Sequence, residues 1–398
     1  MTAAGPTPVW ITGYGAISCV AADAAGTWLA AYEGRSGIRE GLGAVALPTE
    51  SPSVAARLSR LKTTPFGALR GGKALPMAIS AIEEALAAAG WEGLRDDDGL
   101  LLATTTGQGP LWEDELMRHL LGELPADRRS SALATQPLGV TLAVLRELYG
   151  FRGRATILST ACSASTHAIA LGHRWVRSGQ VRRCLVGGVE VLSRLTVEGF
   201  RSLKLLSAER ARPFDATRQG INLSESAAFI CLERDRAGTA VARVAGSAFS
   251  SDAYHMTAPH PEGRGSVAAM RGALSHAGLE PAAVDWIHAH GTGSIHNDLS
   301  EGIAVVTVFG DKTPVSSTKA IHGHSLAASG ALESVLCLES MRRGVVLGTP
   351  GLATPDEKIA VRHATHGAKM PLRCVLKNSL GFGGANGALV FVADGESR

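Results

Sequence analysis

Cys162 lies in Ser159-Thr160-Ala161-Cys162-Ser163-Ala164-Ser165, after the β-branched and apolar Thr156-Ile157-Leu158 and before a helical pattern. That order puts a thiol on a sharp strand-to-helix turn, at the positive end of a helix. Acyl transfer suits such a placement: the thiolate is the nucleophile, and a free cysteine is mostly protonated at neutral pH. A helix N-terminus favours negative charge by roughly 0.3–1 kcal/mol, and its unpaired N–H groups can hold a developing oxyanion. Taken alone, the turn fits a buried structural cysteine better, because free cysteine is among the most buried residue types. Three other segments change that balance.

In Ile287-His288-Ala289-His290-Gly291-Thr292-Gly293-Ser294 a strand runs into a glycine-bearing loop and leaves His290 at its mouth. In Ser316-Ser317-Thr318-Lys319-Ala320-Ile321-His322-Gly323-His324 a strand ends, a lysine follows, and His324 precedes a small-residue helix. Ala327, Ala328 and Gly330 in that helix permit close packing whatever else the segment does. Asn378-Ser379-Leu380-Gly381-Phe382-Gly383-Gly384 is a glycine loop between two strands with one bulky apolar residue at its centre. It lacks the Lys-Ser/Thr of a phosphate-binding P-loop and opens no helix.

The elements that must hold these groups alternate between short apolar runs and helical patterns, the mark of an α/β protein. Strands are predicted at Val9–Thr12, Gly99–Thr105, Thr156–Ser159, Cys184–Gly187, Ala227–Glu233, Ala240–Ser250, Trp286–Ala289, Val315–Ser317, Cys374–Asn378 and Ala388–Val392. Helices are predicted at Ala74–Ala89, Leu138–Leu148, Ser163–Ser178, Val267–Ala277, Leu299–Phe309 and Ser325–Arg342, from apolar or small residues at three-to-four spacing. Gly90, Gly179, Gly278, Gly310 and Gly344 follow five of these helices where a left-handed cap is wanted. Two comparable α/β halves result, residues 1–238 carrying the cysteine and 239–398 carrying the two histidines. The Gly/Pro/Arg-rich stretch Arg35–Lys73 reads as a surface excursion.

Composition narrows the class. Hydrophobic residues are 45% and charged residues 19% of 398, as in a soluble globular chain. A net charge of +3 gives no electrostatic case for nucleic acid. The six cysteines are scattered, without Cys-x-x-Cys or His-x-x-x-His spacing, so neither a disulfide framework nor a metal site is expected. No Lys or Arg precedes Arg35 and no apolar run reaches the ~20 residues of a membrane span. A reduced, cytoplasmic protein is expected.

Together the four segments resemble the β-ketoacyl synthase family of the thiolase fold, nearest its carrier-protein-dependent condensing enzymes of fatty acid and polyketide synthesis. The resemblance runs from Val9-Trp10-Ile11-Thr12-Gly13 to Ala388-Leu389-Val390-Phe391. It takes in Arg212-Pro213-Phe214-Asp215, Leu223-Ser224-Glu225-Ser226-Ala227 and Asp252-Ala253-Tyr254-His255-Met256-Thr257. It implies a layered αβαβα fold. It makes Cys162 the acyl-accepting nucleophile and His290 and His324 the pair that serves malonyl decarboxylation and steadies the enolate. Lys319 becomes the lysine that orients the surroundings of the second histidine and favours a nearby thiolate. Phe382 becomes the gate, its N–H forming an oxyanion hole with that of Cys162. Glu301 and Glu333 match family carboxylates with structural roles.

The implied reaction is a decarboxylative Claisen condensation on acyl carrier protein, with no metal or organic cofactor. The implied assembly is a two-fold dimer, a homodimer by default or a heterodimer with a paralogue. Lys62, Arg70, Lys73, Arg201 and Lys204 are the basic residues expected to receive the acidic carrier. Departures from the family pattern at Ser224, Ser294, Ala327, Ser329, Leu380 and Ala385, with a shortened Leu203–Arg210, suggest a specialised member of aryl-polyene or type II polyketide kind. Two other readings stay open: a non-catalytic partner subunit that sets chain length, and a coenzyme-A-dependent thiolase or initiating synthase. The first typically lacks the nucleophile, and the second lacks the paired histidines.

Overall fold

The computed structural model describes residues 7–46, 51–63, 69, 72–124, 133–235 and 240–394. Its first half runs β1 (Trp10–Ser18), α1 (Ala24–Glu33), β2 (Leu42–Gly43), α2 (Pro52–Ser59), α3 (Ala74–Ala89), β3 (Gly99–Ala103) and α4 (Gly109–Leu120). It continues through α5 (Gly139–Tyr149), β4 (Arg154–Leu158), α6 (Ala164–Arg177), β5 (Arg183–Glu190), α7 (Arg194–Ser202), β6 (Leu223–Ser224) and β7 (Ser226–Glu233). The second half holds β8 (Ala242–Ser251), α8 (Arg264–Ala277), β9 (Trp286–His288), α9 (Ile295–Phe309), β10 (Val315–Ser316) and α10 (Lys319–His322). It ends with α11 (Ser329–Arg343), β11 (Cys374–Gly381) and β12 (Ala385–Ala393). The boundary expected between residues 238 and 239 falls in 236–239, outside the described residues.

Ten strands form one sheet in the order β10-β9-β11-β12-β8-β1-β7-β5-β3-β4. Reading outward from its middle, β1 pairs antiparallel with β7 and β7 with β5, then β5, β3 and β4 run parallel. On the other side β8 pairs antiparallel with β12 and β12 with β11, then β11, β9 and β10 run parallel. The two half-sheets repeat one pattern. The strand pairings that join them among the described residues are Trp10↔Arg243 and Ile11↔Ala242.

Strands buried on both faces read as continuous apolar runs, and alternation decides which layer each side chain enters. In β7, Ala227, Phe229 and Cys231 pack outward with α3 and α5, while Ala228, Ile230 and Leu232 pack inward with α6 and α11. In β12, Leu389 and Phe391 share that inner core, while Ala388 and Val390 face α8 and α9. The layers are therefore helix, half-sheet, paired central helices, half-sheet, helix. Both outer layers sit close by the same device. A Cβ on Gly13 would meet the Ala85 carbonyl at 2.4 Å, and one on Gly246 would meet that of Ala273 at 2.1 Å. Alanine-lined helices and bare strands fit each other.

Each predicted strand and helix is present, with bounds shifted by a few residues. The five capping glycines all take positive φ. The sequence reading missed α1, α4, α7 and α10 and the two-residue strands β2 and β6. It also mistook Arg35–Lys73, where α2 forms and Val54, Leu61 and Leu69 are buried. Proline at the first turn and three spaced apolar residues were the overlooked signal. No helix among the described residues is long and apolar enough to cross a membrane.

Candidate active site

β4 ends at Leu158, and the chain turns through a short 3-10 segment, Ala161–Ser163, into α6. Ala161 is forced to φ +50°, a left-handed conformation that costs a residue with a Cβ about 1–3 kcal/mol. The Ser163 hydroxyl donates to the Thr160 carbonyl at 2.9 Å, and Thr160 Oγ1 pairs with His167 Nδ1 at 2.9 Å, which pins the turn. The second half has the same construction. There Leu326, at φ +43°, opens a 3-10 turn, Leu326–Ala328, into α11, so Ala327 stands where Cys162 stands in the first half.

The Cys162 thiol is buried, and burial pushes it up to about 12. Against that, the Phe382 N–H and its own N–H point at the sulfur and Lys319 contributes positive charge, all favouring the thiolate. Burial outweighs them, while the Lys319 charge acts in the expected direction, toward the thiolate. An oxyanion hole needs its donors aimed at the acyl oxygen, and these two N–H groups lie beside the sulfur that would carry the acyl group. Phe382 tops the β11–β12 hairpin and stacks on Phe200 of α7, with ring centroids 5.3 Å apart and planes 13° apart. Asp252 anchors this hairpin: it accepts from Asn386 Nδ2 at 3.0 Å, and its N–H donates to the Gly384 carbonyl.

His290 leaves β9 on a loop held from beneath by two buried carboxylates of α9. Glu301 accepts the N–H groups of His290 and Gly291, each at 2.7 Å, and Asp298 accepts that of Thr292 at 3.0 Å. Lys319 Nζ donates to the His290 carbonyl at 2.6 Å and approaches His290 Nδ1 at 3.3 Å. Lys319 therefore serves the first histidine, a correction to its expected role at the second. His324 Nδ1 instead meets the Ser329 hydroxyl at 2.9 Å. The two rings stand 5.1 Å apart, edge to face. Burial and the Lys319 charge hold both well below the ordinary imidazole value, so both are neutral. With Nδ1 of His290 taking a proton contact from the ammonium, its own proton sits on Nε2.

Lys319 is itself balanced by Glu333 of α11, which also pairs with Lys377 of β11 at 2.8 Å, all three fully buried. Burial pushes the Glu333 carboxyl up, but the two ammonium groups overrule it and hold it well below the usual range. Lys377 escaped the sequence reading. Its signal was a lysine inside an otherwise apolar strand, Cys374-Val375-Leu376-Lys377. Glu190 also escaped it. Buried beside the thiol, it gathers the N–H groups of Thr105 and Thr106, each at 2.9 Å, and that of Ala327 at 3.1 Å.

Two cavities meet at Cys162. One, of about 460 Å³, is lined by His290, His324, Thr292, Ser294, Asn297, His255, Thr257, Lys204 and Phe382. The other, of about 600 Å³, is walled by Trp112, Leu138, Leu195, Leu203, Leu326 and Phe382, with Thr105 and Thr106 at one side. Phe200 and Phe382 line both, and so stand between them.

The expected docking cations that are described have different surroundings. Lys73 pairs with the buried Glu225, whose carboxylate also takes the N–H groups of Val45 and Leu192. Its role is structural. Arg201 pairs with Glu198 one turn away. Lys204, exposed, lines the mouth of the first cavity. Arg70 and the Lys62 side chain lie outside the described residues.

Comparison with known proteins covers both halves. Residues 7–237 match the family model described as β-ketoacyl synthase, N-terminal domain, and 241–353 match the C-terminal domain. The 3-oxoacyl-[acyl-carrier-protein] synthase 2 of Coxiella burnetii is 36% identical over 258 residues, 61% of this chain and 62% of that protein. The solved ishigamide ketosynthase/chain length factor superposes with a TM-score of 0.87 at 27% identity, over 98% of this chain and 100% of that one. A type II polyketide acyl-carrier protein in complex with its ketosynthase, AntDE:AntF, gives a TM-score of 0.84 at 25% identity, over 98% and 100%. With both domain models matched across most of its length, the chain belongs to the β-ketoacyl synthase family.

Proposed function

We propose that this chain is a carrier-dependent ketosynthase that condenses an acyl group held on Cys162 with a malonyl-type extender. The observation that carries the reading is one cavity in which Cys162 Sγ, under the N–H groups of Cys162 and Phe382, shares its walls with two neutral histidines. Covalent capture divides one hard step into two easier ones. In the first, the thiol attacks a carrier thioester, the acyl–sulfur bond to the carrier breaks, and the thiol proton leaves with the carrier sulfur. In the second, the malonyl carboxylate departs as CO₂ and its C–C electron pair becomes an enolate. The enolate carbon attacks the acyl-cysteine, the Cys162–acyl bond breaks, and a proton restores the thiol.

Neutral imidazoles suit the second step, since the enolate oxygen wants fixed N–H donors in a dry site. No cofactor enters, because loss of CO₂ supplies the drive. The first cavity, the more polar of the two, fits a phosphopantetheine arm, and the apolar second cavity fits the growing chain. The stacked Phe200 and Phe382 would part as the chain is loaded. Acyl carrier protein is the partner. A two-fold dimer, with itself or a paralogue, would cover β4, the edge strand on the Cys162 side of the sheet.

His290→Ala and His324→Ala test this reading. Each should keep acyl transfer to Cys162, read by intact mass, while condensation slows by the equivalent of about 2.7–4 kcal/mol. Condensation at wild-type speed in both would refute the assignment. Failure of the wild type to become acylated would favour a chain-length-setting subunit.

A further inference from the structure

The His324 ring is held through a chain of hydroxyls rather than by a charge. Ser226 Oγ donates to Ser325 Oγ at 2.7 Å, Ser325 Oγ lies 3.4 Å from Ser329 Oγ, and Ser329 Oγ lies 2.9 Å from His324 Nδ1. All three serines are fully buried. A hydroxyl has one proton to give and two sites to accept, so the chain can run in one of two directions. In the direction that begins with Ser226 donating to Ser325, the Ser325 proton goes to Ser329 and the Ser329 proton to the ring. A neutral imidazole that accepts at Nδ1 carries its proton on Nε2, the nitrogen left for the cavity it lines.

We propose that Ser329 is a positioning residue for His324. Its hydroxyl, backed by Ser325 and Ser226, fixes the ring in the tautomer that offers Nε2–H to the substrate. This rests on the ketosynthase reading for its consequence in rate, but not for its structural content. The first histidine reaches the same state by another route, since Lys319 occupies its Nδ1. The two rings then present matched donors, one set by an ammonium and the other by a hydroxyl relay.

The test uses the full chain and two independent readouts. Nitrogen-15 spectra of histidine-labelled protein, with His324→Asn to identify the His324 signals, report which nitrogen is protonated. CO₂ release from malonyl-loaded acyl carrier protein, beside acylation of Cys162 by a small hexanoyl thioester, reports the chemistry. Ser329→Ala should move the His324 signals toward a tautomer mixture and slow CO₂ release roughly tenfold or more, by analogy with a lost oxyanion donor. Acylation should stay within about twofold. Ser329→Thr, which keeps the hydroxyl, should restore both readouts, and Ser325→Ala should fall between.

Unchanged His324 signals in Ser329→Ala, or wild-type CO₂ release from it, overturn the proposal. If Ser329→Ala does not fold, wild-type signals in Ser325→Ala do so instead. No CO₂ from the wild type would sink the ketosynthase reading alone, because the nitrogen spectra report the tautomer in a protein that condenses nothing.

Discussion

At the scale of single residues, burial raises the Cys162 thiol to about 12, so the thiolate is scarce at neutral pH. Cys162 is therefore a resting thiol, and its alkylation by iodoacetamide should climb with pH without levelling off below about pH 10, since only the thiolate reacts. A plateau near neutrality would show that Lys319 and the two N–H groups outweigh burial. A thioester donor should label Cys162 alone, because the other cysteines, Cys19, Cys184, Cys231, Cys337 and Cys374, line neither cavity. An adduct mapped to any of them, with Cys162 free, would refute this. The reactive residues were legible in the chain because each sits on its own short motif. Their partners were not. Lys73 looked like a surface cation until the fold set Glu225 against it, and Lys319, assigned by resemblance to the second histidine five residues on, is folded against the first, far away in sequence.

Among elements, the crossing of α6 and α11 decides whether the thiol and the charge network hold together. A Cβ on Gly330 would meet Thr166 Oγ1 at 2.2 Å and Ser165 Oγ at 3.0 Å. Gly330→Ala should therefore destabilise the fold by about 1–3 kcal/mol through overpacking, measured by urea unfolding. An unchanged midpoint would mean that the helices can separate freely. Glu333 in the same helix balances two buried ammonium groups. Its loss in Glu333→Ala should cost about 3–5 kcal/mol, because it strands buried charge, and Lys377→Met in that background should recover part of it. The strands and helices around this crossing were readable from apolar spacing. The crossing itself was hinted at only by Ala327, Ala328 and Gly330. The Glu333–Lys377 pair joins residues too far apart in sequence for any periodicity to reveal.

Over the whole molecule, six buried histidines among the described residues, His167 and His173 with the four around Lys319, tie stability to pH. Burial lowers His288 to about 3 and His322 to about 4, and holds His290 and His324 well below the ordinary value. The unfolded chain takes up these protons below about pH 6.5 while the folded protein refuses them, so stability is full above that pH and falls as the solution is acidified. Each ring can contribute up to about 1.4 kcal/mol per pH unit in that window. The urea midpoint should hold from pH 8 to 7 and drop toward pH 5, and a flat profile would mean that the rings are charged in place.

Carrier recognition is also a property of the whole surface, and a net charge of +3 gives little global steering. Arg201→Glu with Lys204→Glu should slow acylation by a carrier-bound donor, and added salt should do the same to the wild type. A small thioester should acylate Arg201→Glu at the normal rate. Equal slowing with both donors would place docking elsewhere.

The second turn, at Leu326, bears on the chain's descent. It keeps the same left-handed backbone as Ala161, before an equivalent helix and on an equivalent half-sheet, yet presents only the methyl group of Ala327. Repetition of order, pairing and strain is what duplication and fusion of one ancestral unit leaves behind. One copy presents the thiol of Cys162 at its turn. The other gave its turn over to starting the helix that supplies Ser329 and Glu333, so that a single inherited shape now serves two trades.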